Sequence, residues 1–201
     1  HVKNAGRCRE LLTPGAAVYL ETSSNPARKT KYDLVAVEKG DLLINMDAQA
    51  PNKVFKEWAA AGRLLPALTD IRPEFTWEDS RFDFLLEDAQ GKIFVEVKGV
   101  TLEEDGEVRF PDAPTERGVK HLRGLQRAAA QGHRAAAFFV VQMKGPVRFR
   151  PNDATHPAFG AALREAAGNG VDVYAYDCLV TPDSLTLDAP VPMDLSTWGA
   201  R

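Results

Sequence analysis

Apolar and polar positions alternate over residues 16–21, 31–38 and 42–45, and each stretch predicts a short strand. The polar, turn-rich segment 22–29 and the pair Gly40-Asp41 separate them, which suggests a small β-barrel. After Pro51 the period changes. Val54, Trp58 and Ala61 recur at helical spacing over 53–61, and Gly62 supplies a stop signal. Strands are predicted over 71–77, 81–86 and 92–100. A helix follows over 115–131, with Val119, Leu122, Leu125 and Ala129 on one side and Gly132 at its end. The unbroken apolar run in 135–142 reads as a strand buried on both faces. An alanine-rich helix over 157–167 closes at Gly168-Asn169-Gly170, and 171–176 is a last core strand. The last dozen residues, rich in proline and small side chains, predict an edge element or tail. The order of helix, three strands, helix, strand, helix, strand makes residues 49–201 a mixed α/β domain, after a small β domain over 1–48. Trp58, Trp77 and Trp198 read as packing residues.

Composition narrows the classes. At 201 residues and 44% apolar, the chain is long enough for one large domain or two modest ones. It is neither a disordered tail nor a coiled coil. The longest apolar run, 135–141, is far too short for a membrane span, so no membrane partner is expected. Two cysteines 170 positions apart, Cys8 and Cys178, fit a reducing cytoplasm better than a disulfide framework. The net charge of −3 hides strong local bias. Residues 70–105 carry eleven acids against four bases, and residues 109–150 carry nine bases against two acids. Charge alone reads as solvated faces. A cationic surface beside an acidic metal pocket becomes the better reading only if the acids converge.

The segment 80–99 supplies that convergence. If 81–86 and 92–100 form a hairpin around Asp88-Ala89-Gln90-Gly91, Glu87 pairs with Lys92. Counting outward puts Asp83 opposite Glu96, with Lys98 on the same face as Glu96. Phe82, Phe84, Val95 and Val97 then fill the opposite, buried face. Two carboxylates held together share a proton or bind a cation. Oxygen donors with open positions suit Mg²⁺ or Mn²⁺. A neighbouring lysine can orient or deprotonate an attacking water. This is equipment for metal-assisted phosphodiester hydrolysis, although the spacing alone also describes an ordinary amphipathic strand.

Longer stretches carry a resemblance. They are His1-Val2-Lys3-Asn4-Ala5-Gly6-Arg7-Cys8-Arg9-Glu10-Leu11-Leu12, Asn25-Pro26-Ala27-Arg28-Lys29-Thr30, and Phe110-Pro111-Asp112-Ala113-Pro114-Thr115-Glu116-Arg117-Gly118-Val119-Lys120-His121-Leu122. Gly132-His133-Arg134-Ala135 and Phe139-Val140-Val141-Gln142 extend them. The chain resembles the bacterial sugar fermentation stimulation protein family. That resemblance implies an N-terminal oligonucleotide-binding (OB) barrel and a C-terminal PD-(D/E)xK nuclease-like domain with a central mixed sheet flanked by helices. Family members usually carry further residues before the stretch matching His1, so the barrel is expected to lack its first strand as given. Ala5 stands where Pro or Thr is common.

By the same resemblance Asp83, Glu96 and Lys98 fill the signature positions, and Glu57, on the preceding helix, is a further candidate for the metal. Asn4, Arg7, Arg9, Arg28 and Lys29 are expected to contact phosphates without reading bases. Arg117, Lys120 and His121 open the second helix with cations where the helix dipole disfavours them, which calls for another reason such as a phosphate. Gln142 ends the buried strand, where it is either a substrate contact or a strand-end residue. The expected function is DNA or RNA binding with little sequence preference, coupled to Mg²⁺-dependent cleavage. The competing class is a non-catalytic DNA-binding regulator linked to sugar (maltose) metabolism. A sugar-metabolism enzyme lacks support, because no phosphate-loop glycine motif is present. The oligomeric state, homo-oligomer included, stays open.

Overall fold

The computed structural model describes residues 1–4 and 6–197, so the expectation for Trp198 lies outside the described residues. Three strands form an N-terminal antiparallel sheet: β1 (Val18–Thr22), β2 (Tyr32–Lys39) and β3 (Leu42–Asn45), in the order β1-β2-β3. Helix α1 (Ala50–Ala60) carries Pro51 in its first turn and begins slightly before the expected 53–61. Then come β4 (Asp70–Trp77), β5 (Ser80–Asp88), β6 (Gly91–Val100), β7 (Leu102–Glu104), β8 (Glu107–Phe110), α2 (Glu116–Ala130) and β9 (Arg134–Val141). The last elements are β10 (Arg148–Pro151), α3 (Pro157–Gly168), β11 (Asp172–Thr181) and β12 (Ser184–Pro190).

The main sheet has six strands in the order β12-β11-β9-β6-β5-β4. β6, β9 and β11 run parallel, and antiparallel strands close both sides. β9 shows why its sequence is continuously apolar. Ala135, Ala137, Phe139 and Val141 join one core cluster, while Ala136, Phe138 and Val140 join the other. Helix α1 packs on the second face through Val54, Phe55 and Ala59, with the Phe55 ring tilted against Phe84 and edge-on to Phe138. Helices α2 and α3 cover the first face through Val119, Leu122, Leu125, Ala162 and Leu163. The same cluster takes in Leu34, Val37 and Ile44 of the N-terminal sheet and Met46 just past it, so both sheets share one core.

One further joint ties the sheets together: Gln142, just past β9, receives a backbone hydrogen bond from Asn45 of β3. Within the N-terminal part, Asp33 of β2 is clamped by Arg28 and Lys3. Arg28 was expected on the phosphate surface. It is instead bound through both terminal nitrogens to Asp33, because that buried carboxylate needs a cation. The Arg28 hydrogen bond holds the Asp33 carboxyl below its ordinary range against the opposing effect of burial. A depressed native value contributes stability above the unfolded value, and that stability is lost as pH falls through the native one. The N-terminal sheet should therefore loosen only in strong acid. Asp33→Asn should weaken it already at neutral pH and flatten the acid limb, which tryptophan-independent circular dichroism in the two proteins would read.

Four strands escaped the sequence reading. β7, β8 and β10 form a small separate sheet in the order β10-β8-β7. Their residues are mostly charged and pair among themselves, as Arg109 does with Glu104 at 2.8 Å and Arg148 with Glu107 at 3.2 Å. Val108 and Phe149 are fully buried there, joined by buried Glu103 and Pro151, and the set shows no apolar alternation. β12 is an exposed edge strand whose partner β11 runs past the expected 171–176.

Candidate active site

The β5–β6 hairpin pairs Glu87 with Lys92 as expected, and also pairs Asp88 with Gly91, which leaves a two-residue turn. Register continues to Phe84–Val95 and stops there. One step on, where Asp83 would face Glu96, the strands part. An Asp83 carboxylate oxygen accepts the Val97 backbone N–H at 2.8 Å, so a side chain stands in for a ladder carbonyl. The other ladder also skips this position. β4 pairs Pro73 with Phe84 and Phe75 with Phe82, and the intervening Glu74 adopts a left-handed conformation at φ 55°. A non-glycine residue there carries strain of about 1 kcal/mol or more.

The interruption corrects one expectation. Phe82 and Phe84 were read as sharing a face. Phe82 packs with Phe94 beneath α2, whereas Phe84 packs on Phe55 of α1. Alternation breaks between them, at Asp83. The break directs the Asp83 carboxylate toward the fork between β5 and β6, where Asn52 at the start of α1 also donates to it at 3.0 Å.

Glu96 lies on the α2 side and is 2% exposed. Its Oε1 receives Lys98 Nζ at 2.5 Å and hydrogen-bonds to His121 Nδ1. Its Oε2 is buried without a hydrogen-bond partner among the described residues. Helix α2 sits close enough for His121 to reach because Gly124, one turn on, has no side chain. A Cβ there would fall 2.5 Å from Ser80 Oγ and 3.1 Å from Phe82.

The environments push the two carboxyls apart. Burial raises Asp83 above the ordinary aspartate range, and the Glu96 charge adds to it. Lys98, the Val97 N–H and Asn52 only partly offset this. Burial would raise Glu96 too, but the His121 hydrogen bond and the Lys98 charge outweigh it and hold Glu96 below its usual range. Such a split marks groups with different tasks. It also costs stability. A native carboxyl raised above its unfolded value contributes stability below that value and loses it as pH rises. At pH 7 the chelator-treated wild type should therefore carry a cost that Asp83→Asn does not, so the variant's stability relative to wild type should rise from acid to pH 7. Urea midpoints at the two pH values measure this; a relative stability that stays level or falls as pH rises would refute it.

A divalent cation fits these donors. The idle Glu96 Oε2 is a buried acceptor in want of a positive partner, and each Asp83 oxygen keeps a lone pair. Among the described residues no group of three or more His, Cys, Asp or Glu side chains forms a cage. A cation here would rest on two carboxylates and water, the habit of Mg²⁺ and Mn²⁺.

Other expected residues fall elsewhere. Glu57 is exposed and lines the cleft between α1 and β12 with Thr186 and Asp188. It lies five residues after Asn52, hence about 140° around the helix from the residue that reaches Asp83. Gln142 is 1% exposed and donates to Asn45 and Asp47, so it is a joint between sheets and not a substrate contact. Asn4 accepts from the Gly6 N–H and lines a cavity of about 90 Å³ with Gln142, Arg109 and Asp112. Arg7, Arg9 and Lys29 are exposed. Lys120 lies 3.5 Å from Asp79, and Arg117 donates to His121 at 3.4 Å. Lys120 thus has an exposed carboxylate beside it, while Arg117 meets an imidazole and no carboxylate among the described residues lies within ion-pair distance of it. His121 was read as a phosphate contact, yet it is 5% exposed and turned inward to Glu96. Its spacing from Gly118, Leu122 and Leu125 put it on the apolar face, a signal the charge-based reading passed over. Asn52 had no signal.

Among the described residues no helix is long and apolar enough to cross a membrane. Residues 49–184 match the family model of the sugar fermentation stimulation protein RE domain, and residues 1–46 that of the SfsA N-terminal OB domain. The sugar fermentation stimulation protein homolog of Clostridium beijerinckii is 54% identical over 93% of this chain and 83% of its own length. That of Desulfitobacterium hafniense is 58% identical over 92% of this chain and 81% of its own. The structure of Pyrococcus furiosus SfsA in complex with Ca²⁺ superposes with a TM-score of 0.87 at 27% identity, covering 96% of this chain and 84% of that one. With two family models spanning most of its length and relatives at this identity, the chain belongs to the sugar fermentation stimulation protein family.

Proposed function

We propose that this protein binds nucleic acid with little sequence preference and hydrolyses phosphodiester bonds with Mg²⁺ or Mn²⁺ at Asp83 and Glu96. The observation that carries this reading is the fork at Asp83. It sets the half-buried Asp83 and the buried Glu96, of opposite pKa shift, within electrostatic reach of each other and of the Lys98 amine, and Glu96 Oε2 has no donor among the described residues. Asp83 and Glu96 would hold the cation, which supplies charge for the phosphoryl oxygens and acidifies water. Lys98 is about a quarter exposed, so its amine reaches solvent where it can orient the attacking water and offset phosphate charge. The relative in complex with Ca²⁺ favours a divalent cation over a purely electrostatic role for the acids. Arg117, Lys120 and Arg123 lie exposed along α2 beside the site and suit a phosphate backbone, as do Arg7, Arg9 and Lys29.

The test is incubation of the full chain with labelled single- and double-stranded DNA and RNA, with Mg²⁺, Mn²⁺ or a chelator. Cleavage is expected only with metal. Binding is expected in chelator as well, falling steeply with salt. Salt-sensitive binding without cleavage of any substrate would leave the regulator reading, and absence of binding would overturn both.

A further inference from the structure

We infer that His121 is a positioning residue: by occupying Glu96 Oε1 it confines that carboxylate to one-oxygen binding and biases the site toward a small octahedral cation such as Mg²⁺ over Ca²⁺. This rests on Asp83 and Glu96 being a divalent cation site.

The orientation of the His121 ring is set from both ends. Arg117 has only donors, so His121 Nε2 accepts from it, and the ring hydrogen sits on Nδ1, where it is given to Glu96 Oε1. Phe82 lies edge-on beside the ring at 6.5 Å. Lys98 Nζ approaches the same Oε1. Both donors to this carboxylate therefore fall on one oxygen, and the other, equally buried, has none among the described residues. A cation can take Oε2 at no cost in hydrogen bonds. To take both oxygens it must displace the histidine donor and crowd the lysine charge.

The two cations feel this differently. Mg²⁺ needs near-octahedral geometry at about 2.0–2.1 Å and is content with one oxygen per carboxylate. Ca²⁺ takes 6–8 oxygens at about 2.3–2.6 Å and gains from a carboxylate that offers both. Blocking Oε1 withholds a ligand from Ca²⁺ and nothing from Mg²⁺. Such orienting partners of ligand side chains commonly alter metal affinity by about 10–100-fold.

The experiment is calorimetric titration of the full-length chain with Mg²⁺ alone and with Ca²⁺ alone, in wild type, Glu96→Gln, His121→Ala, His121→Leu and His121→Gln. Ca²⁺ is a fitting probe because a relative has been solved with it. Wild type should bind both ions and Glu96→Gln neither. His121→Ala should raise the ratio of Ca²⁺ to Mg²⁺ affinity by about tenfold. His121→Leu, which keeps bulk under α2 without a donor, should do the same and carries the test if the alanine variant unfolds. His121→Gln, whose amide can donate to Oε1, should return the ratio toward wild type. A merely structural histidine would weaken both ions alike, and an equal loss or an unmoved ratio in a folded variant overturns the inference while leaving the cation site intact. If wild type binds neither ion, the cation site and the inference fall together.

Discussion

Glu96→Gln should yield a folded protein that binds no divalent cation and has lost cleavage by about 10³-fold or more. The amide keeps the shape of the carboxylate, and its oxygen can still receive the His121 Nδ1 hydrogen. What it loses is the charge that attracts Lys98 and would attract a cation. The metal-free protein should be somewhat less stable at pH 7, because a carboxylate held below its usual range by His121 and Lys98 contributes stability there, and relief of Asp83 from its neighbour's charge offsets only part of the loss. Lys98→Ala should behave differently, retaining the cation and losing about 10²-fold or more in turnover, since the attacking water loses its partner. Both variants should bind nucleic acid like wild type, because Arg117, Lys120 and Arg123 are untouched. Single-turnover cleavage of one labelled substrate, alongside metal titration, separates these outcomes. Equal cleavage by wild type and Glu96→Gln would place the chemistry elsewhere.

Gln142→Leu should lower stability by about 3 kcal/mol, and so reduce the melting temperature by about 6–12 °C. The Gln142 amide donates to the Asn45 carbonyl at 3.1 Å, the Asn45 side chain at 2.9 Å and the Asp47 carbonyl at 3.1 Å. Leucine matches its volume but removes all three donations, at about 0.5–1.5 kcal/mol for each bond lost, even though the Asn45 side-chain oxygen keeps the Asp47 N–H and the Asp47 carbonyl keeps the Ala50 N–H. The loss should fall on the seam between the N-terminal and main sheets. A melting point within 2 °C of wild type would mean that the seam is held by the shared apolar core alone, contrary to this estimate.

Legibility in the sequence followed the physics of each part. The main sheet was readable because buried strands such as β9 write their two-faced burial as an unbroken apolar run, and α2 because its apolar stripe repeats every three or four residues. β7, β8 and β10 were not readable because charged pairs do the work that apolar alternation does elsewhere. At the site, counting register from the hairpin turn placed Asp83 beside Glu96, and the resemblance supplied the same three residues. Counting could not show that the ladders break there, since it assumes that they do not. Glu57 came from the resemblance, Arg28 and Gln142 from residue type and place. The contacts Asn52–Asp83 and Gln142–Asn45, 31 and 97 positions apart, are set by packing that no local pattern records.

The interruption at Asp83 bears on how such a site could be moved to another protein. In a regular sheet a side chain stands off the surface and cannot reach a ladder N–H. Asp83 does so because β5 leaves β6 after Phe84 and because Glu74 across the way bends out of register contact. Grafting aspartate, glutamate and lysine at the same spacing onto a well-formed hairpin would therefore reproduce the letters and lose the convergence. A designer would have to transplant a defect: the third strand with its left-handed residue, the fork, and a helix start bearing an asparagine to hold the displaced carboxylate.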